Sequence, residues 1–214
     1  MNSKNRIAPW LIGAVCLGIV LPLTAFHQDA NPRATITPCD LRSDLRKLWE
    51  DHVTWTRLYV ISALADLPDK EATAGRLMKN QVDLGKAIEP FYGDTAGAKL
   101  TALLKGHITI ATQIIDAAKA GNDAKQGEAM KRWQDNADEI AAFLSEANPE
   151  HWPAAQMKQM MREHLDVTAA EVVARLKKDW NADVEAYDKI HSQALVMSDM
   201  LATGITAKFP QKVR

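Results

Sequence analysis

Leu48-Trp49-Glu50-Asp51-His52-Val53-Thr54-Trp55-Thr56, Leu103-Leu104-Lys105-Gly106-His107-Ile108-Thr109-Ile110-Ala111 and Met160-Met161-Arg162-Glu163-His164-Leu165-Asp166-Val167-Thr168 are three versions of one pattern. Each reads apolar, apolar, polar, polar or glycine, histidine, apolar, polar, apolar, small. His107 follows His52 by 55 residues and His164 follows His107 by 57. An acidic residue trails each histidine, Asp83 and Asp138 at 31 residues and Asp199 at 35. A near-constant period of this kind means one supersecondary unit used three times.

The unit is helical. Around the histidines, apolar residues recur every three or four positions: Leu41, Leu45, Leu48, His52, Trp55, Tyr59; then Leu100, Leu103, Leu104, His107, Ile110, Ile114; then Met157, Met160, Met161, His164, Val167. Three further stripes alternate with these, running through Leu77 to Phe91, Met130 to Leu144 and Tyr187 to Ile205. Breaks fall at Leu67-Pro68-Asp69, Pro90 to Asp94, Gly121-Asn122-Asp123, Asn148-Pro149 and, most weakly, Asp179 to Ala182, where Asn181 alone marks the stop. Proline removes a donor, glycine and asparagine tolerate left-handed caps, and Asp or Asn accepts first-turn amide bonds. No alternating strand pattern competes. The sequence therefore predicts an all-α, six-helix bundle built from three antiparallel hairpins, one domain over 38–214. The midpoint of each His–Asp pair falls in an expected turn, which predicts that each histidine faces its aspartate across a hairpin.

Ahead of this domain, Lys4 and Arg6 precede an almost wholly apolar run from Ile7 to Phe26, and polar composition returns at Asp29. That is the pattern of a secretory signal over 1–25 followed by a linker over 26–37. The run is also long enough to serve as an uncleaved inner-membrane anchor. The expectation is a periplasmic or secreted protein, touching membrane only through residues 7–26 if these are retained. Cys16 lies inside the run, so Cys39 is the single cysteine of the mature chain, and neither an internal disulfide nor a Cys-x-x-Cys site is available. The net charge of −1, with acids and bases interspersed, offers no nucleic-acid surface.

A histidine on an apolar stripe needs a polar partner. Two readings follow for His52, His107 and His164 with Asp83, Asp138 and Asp199. In one, the six converge on an interior site that binds a transition metal (Zn, Cu or Fe) or a small ligand, without catalysis. Helical bundles build such sites from inward-facing His and carboxylates, and neutral imidazole suits all three metals. In the other, the His–Asp pairs only fix helix register in a structural or interaction module. Asn80, Asn136, Glu171 and His191 are secondary candidates. Asp188-x-x-His191 matches half of a carboxylate-bridged di-iron motif, but no second Glu-x-x-His stands on a comparable helix. Met157, Met160, Met161, Met197 and Met200 read as core filling, with soft Cu(I) ligation as the alternative, and Trp49, Trp55, Trp133, Trp152 and Trp180 read as core and packing residues rather than sugar or haem stackers. No catalytic motif is found. The segment Gly93 to Lys99 has a phosphate loop's residue types at the wrong spacing with no strand before it, and there is no Gly-x-Ser-x-Gly elbow.

The run Leu48-Trp49-Glu50-Asp51-His52-Val53-Thr54-Trp55-Thr56-Arg57, together with Pro90-Phe91-Tyr92-Gly93, Asn136-Ala137-Asp138-Glu139-Ile140 and Phe209-Pro210, resembles a bacterial family of uncharacterised small helical proteins, often exported. The resemblance covers most of the chain after Cys39 and implies the helical fold. Some members carry glycosyltransferase or acetylglutamate kinase labels. This sequence supports neither, having no Asp-x-Asp motif, no glycine-rich nucleotide loop and no α/β alternation, and the resemblance supplies no catalytic residue.

Overall fold

A computed structural model describes residues 36–214 of the chain, which divides into units Met1–Arg33 and Ala34–Arg214. The expected signal or anchor and nearly all of the linker lie outside the described residues. Six helices follow: α1 (Pro38–Leu64), α2 (Lys70–Tyr92), α3 (Asp94–Lys119), α4 (Asp123–Ala147), α5 (Ala154–Leu176) and α6 (Trp180–Lys208). Among the described residues no helix is long and apolar enough to cross a membrane.

The three histidine-bearing helices stop in the same way. Fourteen residues after each histidine the chain enters the left-handed region, at Asp66 (φ 53°), Gly121 (φ 64°) and Lys178 (φ 59°). The next amide then reaches back five residues: Leu67 N–H to Ser62 O at 3.0 Å, Asn122 N–H to Ala117 O at 2.9 Å, and Asp179 N–H to Ala174 O at 3.0 Å. This is a Schellman ending used three times. Asn122 and Asp179 then cap the next helix, accepting from Lys125 N–H and Ala182 N–H. The third turn thus lies earlier than Asn181, which is helical. Asp179 both ends one helix and caps the next, so no glycine or proline is needed to mark the spot.

Successive helices pack side by side and α6 packs on α1, closing a ring, while α1 also touches α3 and α5 across the interior. The repeat becomes a stack of layers, one residue from each odd helix. Seven before the histidines come Leu45, Leu100 and Met157; three before, Trp49, Leu104 and Met161; eight after, Val60, Ile115 and Val172, all buried. Helical periodicity puts these positions on one face. The first two layers belong to a large core cluster and the last to a smaller one near the turns. The histidines lie between them. At the end away from the hairpin turns, Tyr92 packs against Trp152 and Phe209, with ring centres 5.8 Å and 5.1 Å apart. Ile36 bridges to Val213 at the same end. Trp180 departs from the expected core role: it is 54% exposed in the first turn of α6, against Arg175.

The crossing of α2 and α3 depends on two glycines. A Cβ at Gly85 would lie 1.9 Å from Thr101 Oγ1 and 2.6 Å from Gly97 O, and a backbone oxygen cannot swing aside. Gly75, in the same helix, is exposed and meets nothing within 4 Å. Gly85→Ala should therefore lower stability by about 1–3 kcal/mol through forced separation of the helices. Gly75→Ala should raise it by roughly 0.5–1 kcal/mol through helix propensity alone. Urea unfolding of the two variants checks this; equal signs would contradict the close crossing.

Candidate functional site

The histidines come together in the interior. His52, His107 and His164 are 4%, 4% and 5% exposed. His164 is the middle ring, with centres 5.9 Å from His52 and 6.4 Å from His107. Trp49 and Trp133 wall the layer, 5.6 Å from His52 and 5.1 Å from His107.

Their partners are amides, which corrects the expected His–Asp pairing. His107 Nδ1 lies 2.8 Å from Asn136 Oδ1, and His164 Nδ1 lies 3.1 Å from Gln193 Oε1, each partner 29 residues downstream. The other end of each amide donates to the carbonyl four residues before the histidine: Asn136 Nδ2 to Leu103 O at 3.2 Å and Gln193 Nε2 to Met160 O at 3.1 Å. In the first hairpin Asn80 Nδ2 donates to Leu48 O at 2.9 Å, and Asn80 is the hydrogen-bond partner that favours protonation of His52. Gln81, buried beside it, directs its amide nitrogen at Leu77 O at 2.9 Å, Asn80 Oδ1 at 3.1 Å and His52 Nδ1 at 3.3 Å, so in this hairpin an amide nitrogen faces the ring.

This clamp fixes the tautomer by elimination. A backbone carbonyl accepts only, so the amide nitrogen must face it. The amide oxygen then faces Nδ1, which must carry the hydrogen. Neutral His107 and His164 are thus left with a lone pair on Nε2; at His52 the neighbour of Nδ1 is the amide nitrogen of Gln81, which this elimination does not cover. His107 Nε2 is buried with no hydrogen-bond partner, as are Trp49 Nε1 and Tyr92 Oη. All three residues line one apolar cavity of about 50 Å³, which also takes in His52 and His164. That is room for a few water-sized groups or one ion.

The aspartates turn away. Asp83 pairs with Lys79 Nζ at 2.9 Å, Asp138 with Arg162 and Lys158 at 2.8 Å, and Asp199 with Arg46 at 2.5 Å. Asp83 and Asp138 stand two residues beyond Gln81 and Asn136, a rotation that carries them off the inner face. An unpaired carboxylate among apolar layers costs far more than an amide. Of the secondary candidates, Asn80 and Asn136 belong to the clamp. Glu171, 1% exposed, sits in a separate ion cluster, bonded to Arg57, which also holds Asp183 at 3.0 Å; Arg175 meets Asp183 at 2.7 Å. Burial pushes Glu171 up to about 7 against the pull of Arg57. His191 is on the surface, 3.6 Å from Glu50. Among the described residues no group of three or more His, Cys, Asp or Glu is drawn close enough to hold a metal ion.

Gln81 and Gln193 were legible only through spacing. An amide 28 or 29 residues after each of His52, His107 and His164 is a tighter regularity than the acidic 31, 31 and 35.

No family model, no curated protein and no solved structure matches the chain, so these comparisons assign it to no family.

Burial holds all three imidazoles neutral. It pushes His52 and His107 down to about 3, with the neighbouring rings adding to the effect, and lowers His164 in the same direction. Above pH 6.5, the ordinary imidazole value, this carries no penalty. As pH falls from there towards 3, the unfolded chain binds protons that the folded one refuses, and stability is lost. Each ring adds a slope of roughly 1.4 kcal/mol per pH unit. Urea unfolding between pH 7 and pH 5 should show a shallower slope in His107→Gln than in the unaltered protein, by about one proton. Equal slopes would contradict neutral burial of His107.

Proposed function

We propose that this is an exported helical-bundle protein whose histidine layer binds a transition-metal ion through the Nε2 atoms of His52, His107 and His164, without catalysis. The observation that carries the reading is His107 Nε2, a buried acceptor with no donor, beside His164, whose Nδ1 side is likewise held by an amide oxygen, with His52 on the other side of that ring. An unmet buried acceptor costs about 1–3 kcal/mol. A register lock needs only the Nδ1 side, whereas a cation at Nε2 removes that cost. The amide–histidine–carbonyl arrangement also supplies the outer support that metal-bound histidines ordinarily have. With bonds of ~2.0–2.1 Å to one ion, ring centres would stand roughly 5–5.5 Å apart in all three pairs, so the two pairs made by His164, now 5.9 Å and 6.4 Å, must each close by about half an ångström to one ångström, and His52 and His107 must close around it as well.

A small neutral ligand is the second reading, favoured by the two unmet donors, Trp49 Nε1 and Tyr92 Oη, beside the same cavity. The basic residues Lys4 and Arg6, followed by the apolar run over 7–26, support export.

Elemental analysis of protein recovered from the exported fraction, without chelator or affinity tag, should find about one transition-metal equivalent per chain. His107→Ala should lose it while keeping its helical circular dichroism, and Asn136→Ala should weaken it about 10–100-fold. Metal-free protein that also takes up none of Cu(I), Co(II) and Zn(II) would reject the reading. Full-length protein that stays in the cytoplasm would reject export.

A further inference from the structure

The nature of the cavity wall narrows the ion, given the metal reading above. The lining holds no Asp, Glu, Lys or Arg and no cysteine. The carboxylates that are buried, Glu171 and Asp183, are already bonded to Arg57 and Arg175. An ion bound here therefore keeps its full charge among neutral ligands in apolar surroundings. The cost of burying charge in a low-dielectric medium rises with its square, so a dication costs about four times what a monocation does.

The same wall carries sulfur at two positions, Met161 on α5 and Met197 on α6, and the second is the informative one. On the even helices, four residues past Asn80, Asn136 and Gln193, stand Leu84, Ile140 and Met197, all lining the cavity. Two repeats use a hydrocarbon and the third a thioether. Helical side chains lean towards their helix N-terminus. On α6 that direction leads from Met197 back towards the layer of Gln193 and His164. Met197 is 1% exposed, so its sulfur has no solvent role. Thioethers are soft ligands that select Cu(I), and imidazole serves it well.

We propose that the ion is monovalent copper, held by Nε2 of His52, His107 and His164, with the Met197 thioether as a weaker fourth ligand. Binding is simple coordination: the neutral imidazoles lose no proton and no redox step is involved.

The test is anaerobic competition between the full mature protein and a chromophoric Cu(I) chelator, with Zn(II) measured in parallel against its own chelator. Cu(I) should bind at least 100-fold more tightly than Zn(II). Met197→Leu, the residue type the first repeat uses there, should weaken Cu(I) about 10-fold or more and leave Zn(II) unchanged. X-ray absorption of the Cu(I)-loaded unaltered protein should show a sulfur neighbour, which keeps the proposal testable should the variant fold poorly. Zn(II) binding as tight as Cu(I), Cu(I) affinity unmoved by Met197→Leu, or no sulfur neighbour would overturn the copper assignment and leave a histidine metal site standing. Failure of every metal to bind would overturn both.

Discussion

A side-chain amide that grips a histidine with its oxygen and a backbone carbonyl with its nitrogen is the interaction on which the rest of this molecule depends. It occurs in the second and third hairpins, through Asn136 and Gln193; in the first, Asn80 holds the Leu48 carbonyl in the same way while the amide nitrogen of Gln81 faces His52. Because the carbonyl belongs to the residue one turn before the histidine, the amide sets the height of the even helix against the odd one. A slip of one residue would leave a buried carbonyl, a buried amide and a buried imidazole unmet, each costing about 1–3 kcal/mol. The same grip decides the chemistry of the interior, since it commits Nδ1–H outward to the even helix and leaves Nε2 to the centre.

The layers above and below follow from that register. With histidines level on three helices, the residues seven and three before them and eight after them become level too, which is why they are apolar in all three repeats. Near the histidine layer the symmetry is broken in two places. Between the first and third hairpins, Arg57, Arg175, Glu171 and Asp183 form a buried cluster. On the even helices Met197 replaces the Leu84 and Ile140 of the other repeats. Keeping the buried carboxylates Glu171 and Asp183 with their arginines in the first of these spots leaves the histidine cavity free of charge.

The helices and the repeat were readable because each rests on local rules: apolar spacing for the stripes, Pro68, Gly93, Gly121 and Pro149 for the breaks. The third turn was displaced because Lys178 adopts a left-handed conformation that its residue type does not advertise. The histidines were legible as interior because they stand in apolar stripes. Their partners were not. Asp83 and Asp138 share the 55-residue repeat, and a carboxylate is the commoner histidine partner, yet the two-residue offset rotates them towards Lys79, Arg162 and Lys158. Choosing between Gln81 and Asp83 requires knowing which rotation of α2 faces the core, and inward-facing amides such as the buried Gln81 and the half-buried Gln193 read as surface residues until the fold is known. Trp180 misled in the opposite sense, a large ring left at the surface by the position of the turn.

The central claim is the protonation pattern of three rings, and nitrogen NMR reads it directly. In long-range proton–nitrogen correlation spectra at pH 7, His52, His107 and His164 should each appear neutral, and His107 and His164 should carry the hydrogen on Nδ1 and the lone pair on Nε2. That is the less common tautomer in water, so its appearance twice requires the amide clamps. His107 or His164 carrying the hydrogen on Nε2, or charged rings at that pH, would contradict the clamp and the inward-facing lone pairs built on it.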